Sequence, residues 1–224
     1  MRYVRACVVT FLALTGATAA AEGKDGRSST APITVYTSFE NDPASQVFRA
    51  LQAELAAIME PAGVAIDWRE LKGVTGHDVV VELVVVTFKG TCAAREAPLP
   101  VTSRRRRLGW THLTDGQVLP FSGVDCDVVQ RFISRAMRGA PREEQDRLLG
   151  RALARVAAHE MYHVFAGTQK HASSGVGTSL YTAAHLLRDS LRFGEKEIRA
   201  MQRGRLRPLF RQNPPQVASA GGGP

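Results

Sequence analysis

The stretch ARVAAHEMYHVFAGTQKH, residues 154–171, combines a run of apolar helix-forming residues with three histidines and a glutamate. His159 and His163 are four residues apart, so on a helix their imidazoles lie on one face and can converge on one metal ion. Glu160 follows the first histidine directly and can reach a water molecule beside that ion. The HExxH pattern therefore predicts a metal site with a carboxylate base next to it.

The residues around this pattern are mostly apolar, which predicts a buried helix rather than a solvated one. Two histidines and a glutamate inside such a helix need polar partners, and a metal ion supplies one. The alternative is a pair of unrelated histidines, satisfied in the core or at the surface. The chain has six histidines and 21 acidic residues in 224 positions, and chance would produce HExxH in roughly one such chain in a hundred. The composition thus favours the metal site.

A catalytic zinc ion has three protein ligands and an open position for water. Gly167 ends the predicted helix and lets the chain turn back toward the two histidines. We therefore expect His171 to be the third ligand of a Zn²⁺ ion. The alternatives are ligating residues farther along the chain: His185, Asp189, Glu195 and Glu197.

The chain begins MRYVRACVVTFLALTGATAAAEG, which has the three parts of an export signal. Two arginines give a basic start, an apolar run covers residues 6–14, and small residues end at positions 19–21. We expect residues 1–21 to be a signal peptide and the mature protein to be secreted or periplasmic. The apolar run is too short to span a bilayer comfortably, so we expect no stable membrane anchor after cleavage.

Two cysteines remain after removal of the signal peptide, Cys92 and Cys126. An exporting compartment is oxidising, so we expect them to form a disulfide. In the chain-entropy model a bridge over a loop of this length stabilises the fold by about 3–4 kcal/mol. The alternative is two free buried thiols.

The mature chain has the length and apolar content of one domain, which we place at residues 22–211, with a disordered tail at 212–224. It has 27 basic and 21 acidic residues, a formal net charge of +6. The basic residues are scattered and no nucleic-acid-binding motif accompanies them, so we expect a solvated basic surface and no nucleic-acid partner. We expect a monomer.

Strand and helix patterns alternate through the first half of the domain. β-branched and aromatic residues predict a strand at Ile33–Phe39, and Asp42 is predicted to cap a helix that ends near Pro61. Alternation predicts a second strand at 64–71. Residues 77–90 include VVVELVVVTFKG, which is apolar on both faces and predicts a central, buried strand.

The second half begins with a predicted hairpin, whose strands at 108–113 and 118–121 are joined by Asp115 and Gly116. If the second hairpin strand pairs in parallel with the central strand, the two cysteines leave the sheet at the same end. Helical patterns follow, and their predicted ranges are 128–137, 141–166, 182–193 and 195–203.

The order of strand, helix, two strands, hairpin and HExxH helix over residues 33–171 resembles the N-terminal subdomain of zincin metallopeptidases, in particular the metzincin-like branch. The pattern of that branch is HExxHxxGxxH. Here HEMYHVFAGTQKH places the glycine one position later and the last histidine two positions later, so His171 matches by layout rather than by motif. The family's methionine turn has no clear equivalent, because Met201 lies in a predicted helix.

The resemblance implies an α/β, or α+β zincin-like, fold. We expect a mixed, mostly parallel twisted sheet, an active-site helix that carries HExxH, and a small, mainly helical C-terminal part. It also places the strand around Trp110 at the sheet edge above the site, where an extended peptide could pair with it. The arginine run 104–107 precedes that strand and either favours acidic substrates or keeps the edge solvated.

The residue types predict a secreted zinc-dependent metallopeptidase that hydrolyses peptide or protein substrates. Glu160 would take the proton of a zinc-activated water and pass it to the leaving amine, and Tyr181 or His185 would stabilise the oxyanion. Two alternatives are a secreted, non-catalytic zinc-binding or interaction domain and a zinc hydrolase of non-peptide amides.

Overall fold

A computed structural model of the chain describes residues 32–77, 79–95 and 107–210. The predicted signal peptide at 1–21, the predicted tail at 212–224 and three arginines of the run at 104–107 lie outside the described residues. The predictions that concern them stay predictions.

One mixed sheet of five strands forms the framework of the described chain, in the spatial order β2, β1, β3, β5, β4. The strands are β1 (Ile33–Phe39), β2 (Ile66–Glu70), β3 (Leu83–Lys89), β4 (Gly109–Thr114) and β5 (Gln117–Asp125). β1 pairs in parallel with β2 and β3, and β3 pairs in parallel with β5. β4 pairs with β5 in the antiparallel direction and lies at the edge. The predicted mixed, mostly parallel α/β fold is confirmed.

Five α-helices accompany the sheet in the described ranges. They are α1 (Ser45–Met59), α2 (Cys126–Ile133), α3 (Arg142–Ala166), α4 (Ala183–Leu187) and α5 (Glu195–Phe210). Single 3-10 turns follow α1 at Glu60–Ala62 and β2 at Leu71–Gly73. Within these described parts of the chain, no helix is both long and apolar enough to cross a membrane.

Helix α3 is the core helix, and most of its residues are buried. It packs on α1, where a Cβ atom at Gly150 would collide with the backbone carbonyl of Val47, so this glycine lets the two helices approach closely. Gly167 ends α3 in the left-handed conformation, with φ 58°, and its backbone N–H caps the last turn. The predicted bounds of this helix are confirmed to within one residue.

Several predicted elements are shorter in the structure than the sequence predicts. The helix predicted at 182–193 ends at Leu187, because the backbone of Arg188 is extended and Arg151 Nη1 donates to the Leu187 and Arg188 carbonyls.

Helix α1 and strand β3 begin later than predicted. α1 begins at Ser45, and Asp42 does not cap it, because the backbone N–H groups of Glu40 and Ala44 donate to carbonyls of Phe88 and Cys92 and hold this segment against the end of β3. β3 begins at Leu83 rather than near residue 77. Its pairing with β1 starts there, and the preceding Val79 and Val81 are 95% and 77% exposed.

The hairpin and the disulfide are confirmed. Asp115 and Gly116 both have positive φ, 49° and 76°, as the tight turn between β4 and β5 requires. Because β3 and β5 are parallel neighbours, Cys92 and Cys126 leave the sheet at the same end and are joined, with their Cα atoms 5.1 Å apart. The bridge fixes the start of α2.

A buried ion pair joins α3 to α1 and to the chain around α4. The Arg155 side chain is fully buried, its Nε and Nη2 atoms each lie 2.8 Å from Glu54 Oε1, and Nη1 donates to the His185 carbonyl at 3.1 Å. Burial lowers the pKa of the Arg155 guanidinium, while the Glu54 carboxylate opposes that effect. The pair lies one helical turn from the HExxH residues.

Removal of the Glu54 carboxylate leaves the Arg155 charge buried without its principal counter-ion. We expect Glu54→Ala to lower the free energy of unfolding by about 3–5 kcal/mol, as for other buried pairs that lose one partner. The measurement is denaturant unfolding. Glu70→Ala is the matched control, because Glu70 and Lys72 form an exposed pair and little change is expected. Equal losses in the two variants would contradict this account.

Candidate metal centre

The structure brings the rings of His159, His163 and His171 together. Their potential ligand atoms all lie within 4.8 Å of one another, and the Nε2 atoms of His159 and His163 are 3.1 Å apart. The His171 ring stacks on His159, with centroids 5.1 Å apart, and meets His163 edge-on at 4.8 Å. His171 is exposed, whereas the two helical histidines are buried. This group could hold a metal ion.

Two backbone carbonyls orient the helical histidines. His159 Nδ1 lies 2.8 Å from the Val176 carbonyl oxygen, and His163 Nδ1 lies 2.7 Å from that of Thr168. A carbonyl oxygen can only accept, so we assign the ring hydrogen of each neutral histidine to Nδ1. Both Nε2 atoms then present lone pairs, and at 3.1 Å these two acceptors repel unless a cation or a proton lies between them. The donor set therefore fits a metal ion.

The segment after α3 is folded so that it supplies these carbonyls. Gly167 reverses the chain, and Thr168 donates its N–H to the His163 carbonyl. Val176, which is fully buried, donates its N–H to the Arg192 carbonyl, which fixes the other side of the segment. Gly175 is in the left-handed conformation, with φ 72°, and its missing Cβ allows this close approach.

The alternative third ligands lie elsewhere. Asp189 is exposed and faces Arg151 at 3.6 Å, and Glu195 pairs with Arg199 at 2.9 Å. Glu197 packs near Gly177 and Gly194. In the described part of the chain, the three histidines are the one group of this size whose ligand atoms converge.

Glu160 is buried beside the histidines and is held by the edge strand. Its Oε2 atom accepts a hydrogen bond from Thr111 Oγ1 at 2.7 Å, and Ser122 Oγ lies 3.5 Å from the same hydroxyl. Burial raises the pKa of Glu160 to about 7, against the opposing effects of the Thr111 hydrogen bond and the Arg107 charge. A carboxyl group with a pKa near neutrality can both take up and release a proton.

The electrostatics of the histidines suit metal binding. Burial lowers the pKa of His159 to about 4, and the neighbouring His163 and His171 lower it further against the opposing hydrogen bond to Val176. Burial also lowers the pKa of His163. Both side chains are therefore neutral at physiological pH, as metal ligation requires.

Of the two residues proposed for the oxyanion, the structure places Tyr181 near the site and His185 away from it. The Tyr181 ring centroid is 5.7 Å from that of His159, and its hydroxyl donates to the Val176 carbonyl. Burial raises the pKa of Tyr181, and the nearby Glu160 carboxylate raises it further. His185 does not line the cleft.

A cleft of about 790 Å³ runs over the histidines. One wall is β4, whose Trp110 side chain packs over Gly123 of β5. The other walls come from α2, from α3 and from the loop residues 168–171 and 178–181. The histidines and Glu160 thus lie at the floor of a groove that is bordered by an edge strand.

Comparison with known proteins gives a likeness to solved structures. No protein-family model matches the chain, and no curated protein does. Among solved structures, the chain is similar to the crystal structure of archaemetzincin from Methanopyrus kandleri, with a TM-score of 0.46 and 12% sequence identity. The match covers 80% of this chain and 97% of the archaemetzincin chain.

Sequence reasoning missed the residues that support the site. Thr111 and the carbonyls of Thr168 and Val176 were not predicted, nor was Gly109, where a Cβ atom would lie 2.8 Å from Glu160 Oε1 and from Val156 Cγ1. A backbone carbonyl has no sequence signal. Alternate residues of a strand lie on the same face of the sheet. The sequence could therefore have placed Gly109 and Thr111 together on one face of β4.

The space at Gly109 yields a test of the packing around Glu160. We expect Gly109→Ala to lower the free energy of unfolding by about 1–3 kcal/mol, because the new methyl group forces Glu160 or Val156 to move. Gly73→Ala is the control, since a Cβ there meets nothing within 4 Å. Chemical denaturation of both variants is the measurement, and an equal or smaller loss at Gly109 would contradict the packing described.

Proposed function

We propose that this protein is a zinc-dependent metallopeptidase in which His159, His163 and His171 hold Zn²⁺ and Glu160 is the general base. The observation that carries the proposal is the 3.1 Å separation of the His159 and His163 Nε2 atoms, in rings whose Nδ1 atoms face backbone carbonyls, with Glu160 in the same cleft. Neutral imidazole nitrogens are preferred zinc ligands, and three of them leave a coordination position open.

The separation of the two helical ligand atoms is compatible with a shared zinc ion. Two Zn–N bonds of about 2.0–2.1 Å at a tetrahedral angle place the nitrogens roughly 3.3 Å apart. The 3.1 Å observed between the Nε2 atoms is close to that value. His171 is exposed, and its ligand atom lies within 4.8 Å of those of the other two histidines.

A bound zinc ion would supply Lewis acidity, which lowers the pKa of a water molecule and polarises the carbonyl under attack. Glu160 would accept the proton of the attacking water and return it to the leaving nitrogen. The Thr111 hydroxyl holds Oε2 in place during both transfers. Gly109 of β4 has no side chain, which leaves space beside the Oε1 atom of Glu160.

The surroundings of the site favour an extended peptide as substrate. β4 is the edge strand, and no described strand pairs with its outer side. A peptide in the cleft could add to this edge by backbone hydrogen bonds, with its scissile carbonyl over the histidines. Tyr181 is the residue that could donate to the oxyanion, provided that its hydroxyl leaves the Val176 carbonyl.

We also propose that the protein acts after export. The signal-like start of the chain motivates this, and the disulfide between Cys92 and Cys126 is of a kind that persists in oxidising compartments. Detection of the processed chain in a culture supernatant or a periplasmic extract tests it, and retention of residues 1–21 on a cytoplasmic protein would contradict it.

Replacement of the base separates catalysis from metal binding. We expect Glu160→Gln to slow peptide hydrolysis by about 100- to 10,000-fold, the usual contribution of a general base. Zinc content and melting temperature should stay close to those of the parent, because glutamine can still accept the Thr111 hydrogen bond. The measurement is kcat/KM for cleavage of the peptides in a mixed library, with the products quantified by mass spectrometry.

The control for this substitution is Glu195→Gln, which removes an exposed carboxylate. Unchanged hydrolysis in Glu160→Gln would remove Glu160 from the mechanism. A parent protein that binds zinc but cleaves no peptide would favour the non-catalytic zinc domain, and cleavage of non-peptide amides alone would favour the other hydrolase.

The pKa of Glu160 gives the reaction a pH dependence. Only the ionised carboxylate can accept a proton, so kcat/KM should fall as the pH drops, with a midpoint at or below about 7, because a neighbouring cation lowers the pKa. Thr111→Val removes a hydrogen bond that favours the ionised form, and we expect it to move this midpoint to higher pH, whereas Thr111→Ser should not. A pH profile that is the same in all three proteins would contradict the role of Thr111.

A further inference from the structure

Arg131 of α2 lines the cleft, and its charged group lacks partners there. Its Nε and Nη1 atoms are buried and have no hydrogen-bond partner among the described residues. Nη2 makes a long hydrogen bond, 3.4 Å, to the Asp127 carbonyl on the preceding turn. Guanidinium groups that are buried in this way are normally paired with carboxylates.

Among the residues that the structure describes, the cleft holds no carboxylate that pairs with Arg131. Glu160 is the one acidic residue among the described residues that line it, and Thr111 already holds its Oε2 atom. Arg107 lines the same cleft, so its fixed charges are mainly positive. Val128 and Phe132 lie beside Arg131 on the cleft wall, and their apolar surface strengthens any ion pair formed there.

Helix α2 is anchored in a way that fixes the position of Arg131. Cys126, its first residue, is joined to Cys92, and the Asp125 carboxylate caps it by accepting from the Val128 N–H at 2.9 Å. The guanidinium is therefore presented on a rigid element, as a binding site for a ligand requires.

We propose that Arg131 forms a carboxylate-binding subsite of the cleft and selects peptides with an acidic group near the bond that is cleaved. The N–H donors at Nε and Nη1 meet no acceptor among the described residues. A rotation of the side chain would turn them into the cleft, where a carboxylate is the acceptor that matches them best. That carboxylate belongs either to an Asp or Glu side chain or to the free C-terminus of the peptide. The subsite rests on the proposed function, because it names the substrate class of the same cleft.

The test measures binding rather than turnover. Acetylated and amidated peptides of otherwise neutral sequence carry a single Glu, or the matched Gln, at each position in turn. A further neutral peptide keeps its free C-terminal carboxylate. Binding to the full-length Glu160→Gln protein, with and without added zinc, is followed by calorimetry. The same measurement is made on this protein with Arg131→Gln, Arg131→Lys or Arg138→Gln added.

We expect an acidic peptide to bind about 10- to 100-fold more tightly than its neutral match, the range of a charge-assisted hydrogen bond. Arg131→Gln should abolish this preference and Arg131→Lys should weaken it. Arg138 is exposed and does not line the cleft, so Arg138→Gln should leave the preference unchanged. Preference for one Glu position identifies a side chain as the ligand, and preference for the free carboxylate identifies the C-terminus.

Equal binding of acidic and neutral peptides would overturn the subsite, and this comparison needs no Arg131 variant to fold. Survival of the preference in Arg131→Gln would overturn it as well. Hydrolysis of the same peptides by the parent protein is scored separately. Absence of hydrolysis with a retained preference would contradict the peptidase and leave the subsite standing.

Discussion

The hydrogen bonds from His159 and His163 to the carbonyls of Val176 and Thr168 are the constraint on which the site depends. They fix the ring hydrogens on Nδ1 and leave two lone pairs that face each other at 3.1 Å. Such an arrangement is unfavourable without a shared cation, so the backbone after α3 orients the two rings in a way that would suit a metal ion. Gly167 is needed for this, because it turns the chain back beneath the helix.

The rest of the fold holds that helix in place. The buried pair of Arg155 and Glu54 ties α3 to α1, and Gly150 lets the two helices pack closely. On the opposite side, the Thr111 hydroxyl of edge strand β4 donates a hydrogen bond to Glu160. Gly109 of the same strand leaves space for the Glu160 carboxylate. The disulfide fixes α2, which presents Arg131 to the same cleft. The candidate metal ligands, the proposed base and the cationic wall thus come from separate elements that meet at one groove.

Much of this architecture was predictable, because it follows from local patterns. The HExxH helix and its glycine cap, the strand Ile33–Phe39 and the hairpin turn all depend on residues close in sequence. The disulfide was predicted from the signal-like start of the chain, and the parallel pairing of β3 and β5 places both cysteines at one end of the sheet. The predicted start of β3 was wrong, because the valines before Leu83 have the composition of a strand. Which of these residues pair depends on where β1 lies beside them, and that is a property of the tertiary fold. The carbonyl partners of the histidines could not be predicted, because every residue has a carbonyl and only the tertiary fold selects two of them.

If His159, His163 and His171 together hold one zinc ion, the zinc content of the protein depends on His171. Elemental analysis of protein purified without chelator measures that content in the parent, in His171→Ala and in the control His185→Ala, whose side chain lies outside the cleft. We expect one zinc per chain in the parent and in the control, and binding weakened at least about tenfold in His171→Ala, since the loss of even an outer-shell partner costs that much. No zinc in the parent, or equally tight zinc in His171→Ala, would contradict a site of three histidines.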